Sequence, residues 1–349
     1  MEEFGCAKLS WLRERLGLRL SSGIPSHDTF GRVFAALAPE EFAACFQRWT
    51  QEIQHHSQGE IIAIDGKTLR RSFDNASGKA AIHMVSAWAG RNRLVLGQQA
   101  VEAKSNEITA IPSLLKILDL TGCIVTVDAL NCQKTIADQI CRQGGDYLFA
   151  LKGNHPWLHE DVAAYFDWAL GQVSKGKDSS SFFSSEARSQ DYAHGRREER
   201  RCWCIEANVQ EWNRALEAWP GLRSLVLVES ERRMSQSLEA GATIWSPPTY
   251  ERRYYLSSLN PQSAAAMLEA AREHWGIENS VHWVLDVVFR EDESRIRKDN
   301  APVNMAMLRQ LCLNLLRQDK THKRGLKARR LRAALDEDYL IKVIAGQKV

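Results

Sequence analysis

The sequence predicts a mixed α/β fold, in which helices cover a sheet of antiparallel and parallel strands. The first observation is a series of three apolar segments, at 60–65, 81–89 and 93–101, separated by short links. Short links join antiparallel neighbours, so these segments predict a meander. The second observation is that segments 123–128 and 146–151 alternate with helical patterns, which is typical of parallel strands.

The first 57 residues predict a small helical module. Ser26 or Asp28 can cap a helix that runs to Leu37, and Pro39 stands where the first residue of the next helix would lie. No β-strand pattern interrupts this part of the chain. We therefore expect an accessory module that precedes the sheet.

The remaining elements follow from periodicity and from turn residues. Helices over 106–119 and 131–143 connect the later strands of the sheet. A Gly/Ser-rich break at 171–185 marks a loop or a boundary. Beyond it we predict strands and then two long helices, at 201–207, 222–231, 250–258, 261–290 and 301–318.

The composition is that of an ordinary globular protein, with 44% hydrophobic residues, 26% charged residues and a net charge of +3. None of the eight cysteines forms a Cys-x-x-Cys pair, which argues against a zinc ribbon or finger. We interpret them as reduced thiols of a cytoplasmic protein. Met1-Glu2-Glu3 is not a signal peptide, and no apolar run is long enough to span a membrane.

Basic residues are clustered in two places. Four arginines lie within residues 196–201, and eight Lys or Arg residues lie between Arg317 and Arg332 beside one acid, Asp319. Such clusters are most often solvated surfaces, although they also bind phosphate backbones. Trp203 and Trp245 could stack on a base, but packing in the core is the more common role of tryptophan.

Two apolar strands end on an aspartate, at Asp65 and Asp128. The carboxyl end of a strand is the edge of an open sheet where ligands bind. One such aspartate is usually a cap or a turn residue. If the two strands are neighbours, however, both side chains reach one point.

A third carboxylate, Glu278, lies within a predicted helical stripe that is otherwise mostly apolar. The stripe consists of Met267, Ala271, Trp275, Glu278, His282, Leu285 and Phe289. Packed on the sheet, it would bring Glu278 to the two aspartates. Three unpaired acids repel one another, and bound Mg²⁺ resolves the conflict. Asp286, Glu291 and Asp292 are rival third acids.

His274, Glu278 and His282 also recur every four residues and could form a zinc-binding helix. This spacing differs from His-Glu-x-x-His, and three ligands on one helix converge poorly on a single ion. Packing between a helix and the sheet is the alternative for both histidines.

Several motifs together resemble the bacterial insertion-sequence transposases of the ISAs type, including the H-repeat-associated proteins. They are Ile64-Asp65-Gly66-Lys67, Val127-Asp128-Ala129, Leu151-Lys152-Gly153-Asn154-His155 and His274-Trp275-Gly276-Ile277-Glu278-Asn279-Ser280-Val281-His282-Trp283. The likeness also covers residues 23–30 and 300–302. Taken together, the motifs are specific.

The resemblance implies an RNase H-like catalytic domain whose Asp-Asp-Glu triad is Asp65, Asp128 and Glu278. These residues would hold two Mg²⁺ ions, for which Mn²⁺ could substitute, and would support cleavage and strand transfer at the ends of an insertion sequence. The chain departs from the wider group's Tyr-x2-Arg-x3-Glu-x6-Lys signature, because Ala271, His274 and Leu285 occupy the other positions.

The partners implied are double-stranded DNA with terminal inverted repeats and a target DNA, bound by a homodimer in the bacterial cytoplasm, associated with the nucleoid. The expected DNA contacts are Lys67, Arg70, Arg71, Lys152, Asn154, Arg196, Arg197 and His282. A catalytically silent DNA-binding relative and a nuclease without strand transfer are alternatives.

Five domains are expected from these patterns. They are the N-terminal module at 1–57, which could bind DNA, the first part of the catalytic core at 58–170, a β-rich insertion at 171–260, the second part of the core at 261–318 and a basic tail at 319–349.

Overall fold

The computed structural model describes residues 1–54, 59–74, 78–101, 106–193, 195–207, 219–237, 243–321 and 323–345. The chain divides into two compact units. One unit contains Met1–Glu52, Thr68–Met84 and Val284–Val349, and the other contains Ile53–Lys67 and Val85–Trp283.

The described residues contain twelve α-helices and ten strands. The α-helices are α1 (Glu2–Ala7), α2 (Leu9–Glu14), α3 (His27–Ala36), α4 (Pro39–Ile53), α5 (Glu107–Leu115), α6 (Lys134–Arg142), α7 (Pro156–Ser174), α8 (Ala264–His274), α9 (Trp283–Val287), α10 (Ala301–Gln318), α11 (Leu326–Leu335) and α12 (Glu337–Ala345). The strands are β1 (Ile61–Thr68), β2 (His83–Ala89), β3 (Leu94–Ala100), β4 (Ile124–Val127), β5 (Asp146–Leu151), β6 (Ser185–Ala193), β7 (Arg196–Glu206), β8 (Ser224–Ser237), β9 (Thr243–Trp245) and β10 (Thr249–Ser257). Among the described residues, no helix combines the length and the apolar composition that crossing a bilayer requires.

The first of these units, called the helical unit below, joins segments from near the two ends of the chain. Ser26 caps α3 by accepting a hydrogen bond from the Thr29 N–H, and α4 begins at Pro39, as predicted. Asn304 on α10 is fully buried and donates to the carbonyl of Leu37 at 2.9 Å. The unit thus combines residues of the expected N-terminal module with residues of the second part of the core and of the tail.

The other unit is built around one large sheet, in which the strands follow the order β3-β2-β1-β4-β5-β10-β8-β7-β6 and β9 pairs with β8. The pairs β1–β4 and β4–β5 are parallel, and β10 is antiparallel to β5 and to β8. The mixed α/β fold predicted from the sequence is therefore confirmed.

Strands β6 to β10 extend this sheet and do not form a separate one. Tyr254 of β10 pairs with Leu151 of β5, so the β-rich segment continues directly from the last parallel strand. The sequence predicted strands in this region but not β6 or β9. Strand β6, Ser185–Ala193, has alternating burial, but its polar and charged residues give no apolar alternation in the sequence.

Both faces of the sheet are covered, which explains the continuous apolar runs in its parallel strands. Ile62 and Ile64 point into a large core that also contains residues of α5, α6 and α7. Ile61 points into a second core, formed with Met267 and other residues of α8. Successive side chains of β1 thus fill opposite cores, and this packing fixes the strand that carries Asp65.

The prediction of one long helix at 261–290 is wrong. Helix α8 ends at His274, a turn follows at Trp275, and residues Glu278–His282 form one π-helical turn before α9. Trp275 is 48% exposed, so the predicted stripe does not form one buried face. A π turn adds one residue to the helical repeat, and this residue shifts the face that follows.

Candidate active site

The two aspartates of the candidate site belong to adjacent parallel strands. Asp128 directly follows β4, as predicted, whereas Asp65 lies within β1, which continues to Thr68 and does not end at residue 65 as the sequence suggested. Ile61, Ile62 and Ala63 of β1 pair with residues 63 positions later in β4. The same offset separates Asp65 from Asp128, so extending the register by two residues places them side by side. Neighbouring strands lie about 4.8 Å apart, which brings both carboxylates to one edge of the sheet. Their convergence follows from the strand register.

Burial and neighbouring acids disfavour the ionised form of both aspartates. The pKa of Asp65 is raised to about 7, mainly by desolvation and in smaller part by Glu107, Asp128 and Glu278, while the hydrogen bond from the Gly66 N–H lowers it. Desolvation also raises the pKa of Asp128, and the hydrogen bonds from Asn131 oppose this shift. An edge that penalises carboxylate charge in this way is suited to a bound cation.

A fourth acid and an amide complete this edge, and the sequence analysis missed both. Asn131 is fully buried, and its side-chain amide donates to Asp128 Oδ1 at 2.8 Å and to Glu107 Oε2 at 2.6 Å. The Asn131 backbone N–H also donates to Asp128 Oδ1, at 3.1 Å. Asn131 therefore holds one oxygen of Asp128 in a fixed direction. In the sequence, Asn131 could have been identified from its position three residues after Asp128. No pattern in the sequence pointed to Glu107.

Glu278 reaches the site from the π turn together with His282. His282 Nδ1 lies 3.1 Å from Glu278 Oε2 and 3.5 Å from Asp65 Oδ2. Asp65, Glu278 and His282 each offer one ligand atom within 4.8 Å of the other two. Among the described residues, these three form a group of potential metal ligands. The Glu278 side chain is 57% exposed and the His282 side chain 5%. Glu278 thus faces solvent, although the sequence pattern predicted that it lies in a buried stripe.

The zinc-binding helix considered from the sequence does not assemble. His274 Nδ1 lies 3.0 Å from the Thr126 hydroxyl, and burial lowers the pKa of His274 to about 4. His274 is therefore neutral and belongs to the contact between α8 and the sheet. The rival acids Asp286, Glu291 and Asp292 lie in the helical unit.

The expected DNA contacts are distributed over several parts of the structure. Lys67 follows Asp65 on β1, and Lys152 follows β5 on an exposed turn. Asn154 donates to the carbonyl of Ala129, so it supports the loop after Asp128. Arg70 and Arg71 lie in the helical unit, where Arg70 pairs with Asp292 at 3.2 Å.

The cluster at 196–201 is not a uniformly basic surface. Arg197 is exposed, whereas Arg196, Arg200 and Arg232 surround the buried Glu198 at 2.9–3.3 Å. These pairs border a cleft of about 870 Å³ between β6, β7, β8, β10 and α8. Cross-strand pairing therefore neutralises much of the charge that the sequence had suggested for DNA.

The two tryptophans considered as stacking platforms differ in exposure. Trp203 is 7% exposed and packs in the large core beside Phe183, which agrees with the core-packing interpretation. Trp245 is 39% exposed, and its ring lies 5.8 Å from that of Tyr192.

Comparison with known proteins identifies the family of this chain. The family described as "Transposase DDE domain" matches residues 56–315, and the family described as "DDE_Tnp_1-associated" matches residues 1–50. The chain is 42% identical to "Putative transposase YncI" of Escherichia coli O157:H7 over 99% of this chain and 84% of that protein. It is 38% identical to "H repeat-associated putative transposase YhhI" of Escherichia coli K12, over 99% of this chain and 87% of that protein. The chain belongs to the DDE transposase family.

Proposed function

We propose that this protein is a DNA transposase that cleaves the ends of an insertion sequence and transfers them to target DNA in a metal-dependent reaction. One arrangement supports the proposal: Asp65 and Asp128 each stand two residues beyond the paired residues Ala63 and Thr126 of neighbouring strands, and Glu278 shares a group of potential metal ligands with Asp65. The order of β1 to β5 supports an RNase H-like core.

Asp65 has the central position among the three acids. Asp128, which follows the neighbouring strand β4, acts on it electrostatically, and it shares the group of potential metal ligands with Glu278. Burial, and to a smaller extent the neighbouring acids, raise the pKa of Asp65, so a divalent cation is the natural partner of the ionised cluster. Bound Mg²⁺ ions, two by resemblance and replaceable by Mn²⁺, would stabilise charge on the phosphate and activate water or a 3′-hydroxyl.

The other residues of this edge hold the acids in place and contact DNA. Asn131 orients Asp128, and Asn154 fixes the loop that follows it. Lys67 and Lys152 are then the cations closest in sequence to the strand ends, and we assign them to the DNA backbone. Arg70, Arg71, Arg196 and Arg197 are proposed as more distant contacts with double-stranded DNA, which a homodimer would bind at the terminal repeats.

A strand-transfer assay with a labelled insertion-sequence end tests the proposal. In Mg²⁺ we expect nicking and a joined product, with a loss of more than about a thousandfold in Asp65→Asn and in Glu278→Gln. Asp138→Asn on α6 and Glu160→Gln on α7 are matched controls that should keep full activity. Full cleavage by Asp65→Asn would refute the assignment.

The same assay separates the alternatives. Cleavage without a joined product would indicate a nuclease that lacks strand transfer. Metal binding without any cleavage would indicate a silent DNA-binding relative.

A further inference from the structure

We infer that His282 is a metal ligand, and that one of the two proposed cation sites is formed by Asp65, Glu278 and the imidazole of His282. This inference rests on the proposed function, because it concerns the same metal centre. It differs from the expectation drawn from the sequence, in which His282 contacts DNA. The ring is 5% exposed and faces acids, so it does not present a surface to a phosphate.

The spacing of the three ligand atoms fits a shared cation. Two ligands about 2.1 Å from one ion lie about 3.0 Å apart in octahedral geometry and about 3.4 Å apart in tetrahedral geometry. His282 Nδ1 lies 3.1 Å from Glu278 Oε2 and 3.5 Å from Asp65 Oδ2. Both separations are close to those required, so binding needs little rearrangement of the ring.

A hydrogen bond alone accounts less well for this arrangement. Nδ1 carries at most one proton, and two carboxylate oxygens lie beside it. One N–H can be well aligned with only one of them. A cation that contacts the nitrogen and both oxygens satisfies all three atoms and offsets the repulsion between Asp65 and Glu278.

The local fold supplies the rigidity that such a site needs. Glu278 and His282 stand four residues apart in the π turn, so both side chains project from one side of it. π turns occur frequently at functional sites in helices. Asp65 lies within β1, directly after four buried residues of that strand, Ile61 to Ile64.

The two cation sites would then differ in chemistry. The site at Glu278 would have a nitrogen ligand, whereas the site at Asp128 would be formed by oxygen ligands. Imidazole favours transition metals over Mg²⁺, and carboxylates suit Mg²⁺. We expect His282→Gln to weaken the binding of Mn²⁺ by more than about tenfold and that of Mg²⁺ by less.

Pulsed electron paramagnetic resonance of Mn²⁺ bound to the full chain, without DNA, tests this inference. The wild-type protein should show coupling to an imidazole nitrogen. The coupling should disappear in His282→Gln and persist in His274→Gln, whose histidine pairs with Thr126. A wild-type spectrum without the coupling, or one that survives in His282→Gln, overturns the inference.

Further measurements keep the outcomes distinct. If His282→Gln does not fold, as judged by circular dichroism, His274→Gln and His155→Gln replace it. Loss of the coupling in either of those variants overturns the inference, and retention in both supports it.

If the wild-type protein cleaves DNA but shows no coupling, only the role of His282 fails. If the coupling is present and DNA is not cleaved, the proposed function fails and the metal site stands.

Discussion

Replacement of Asp65 by asparagine should stabilise the metal-free protein while abolishing cleavage. Asn has nearly the same shape as Asp but carries no charge, so it removes the cost of burying a carboxylate among other acids. The pKa of Asp65 is raised from 3.8 to about 7, mainly by desolvation. Since a tenfold change in proton affinity corresponds to about 1.4 kcal/mol, the ionised form costs at most about 4 kcal/mol. The side chain is 29% exposed, so we expect about 2–4 kcal/mol after solvent screening.

The sign of this effect makes it depend on pH. Between the ordinary pKa of 3.8 and about 7, the folded protein holds a proton on Asp65 that the unfolded chain has lost. The stability of the wild-type protein therefore falls as pH rises through this window. The gain from Asp65→Asn should be about 1.5 kcal/mol at pH 5 and should reach its full value by pH 8.

Urea unfolding in EDTA, followed by circular dichroism at pH 5 and pH 8, measures this gain. Asp138→Asn is the control, because Asp138 forms only a surface pair with Arg142 and should change stability by less than about 0.5 kcal/mol. Added Mn²⁺ should stabilise the wild-type protein but not Asp65→Asn. Equal or lower stability of Asp65→Asn at pH 8 in EDTA would refute the reasoning.

Two further predictions concern the same edge of the sheet, and a third concerns DNA binding. Asn131→Ala removes the donor shared by Asp128 and Glu107 and should cost about 1–3 kcal/mol in urea unfolding; no loss of stability would show that the network is unimportant. Because protons compete with metal for Asp65, Mn²⁺ affinity measured by calorimetry should rise from pH 5 to about pH 7 and then level off; an affinity independent of pH would contradict the raised pKa. Binding to a terminal inverted repeat, measured by fluorescence anisotropy, should weaken steeply as salt rises if several cations contact phosphates, and a flat response would exclude them as DNA contacts.

The pair of aspartates was predictable because the signal is local. Each apolar strand ends on an acid, and a parallel sheet aligns strand ends at one edge. The 63-residue separation of Asp65 and Asp128 is the same as the offset of the β1–β4 register. The sheet could be predicted for the same reason, since alternating strands and helices indicate parallel pairing.

The remainder of the site depends on tertiary contacts that a sequence pattern does not encode. Glu107 opens helix α5, and only the fold brings it within 2.6 Å of Asn131. The π turn that carries Glu278 has no signature in composition, so regular helical spacing predicted one stripe. The arginines at 196–201 looked like a basic patch in the sequence. In the structure Glu198 also pairs with Arg232 on the adjacent strand, and spacing along the chain cannot show such a contact.

Anomalous diffraction from crystals soaked in Mn²⁺ tests the central claim most directly. The account predicts manganese peaks about 2.2 Å from carboxylate oxygens of Asp65, with Glu278 and His282 contacting one ion and Asp128 the other. Peaks confined to other parts of the chain, with none near Asp65, would contradict it.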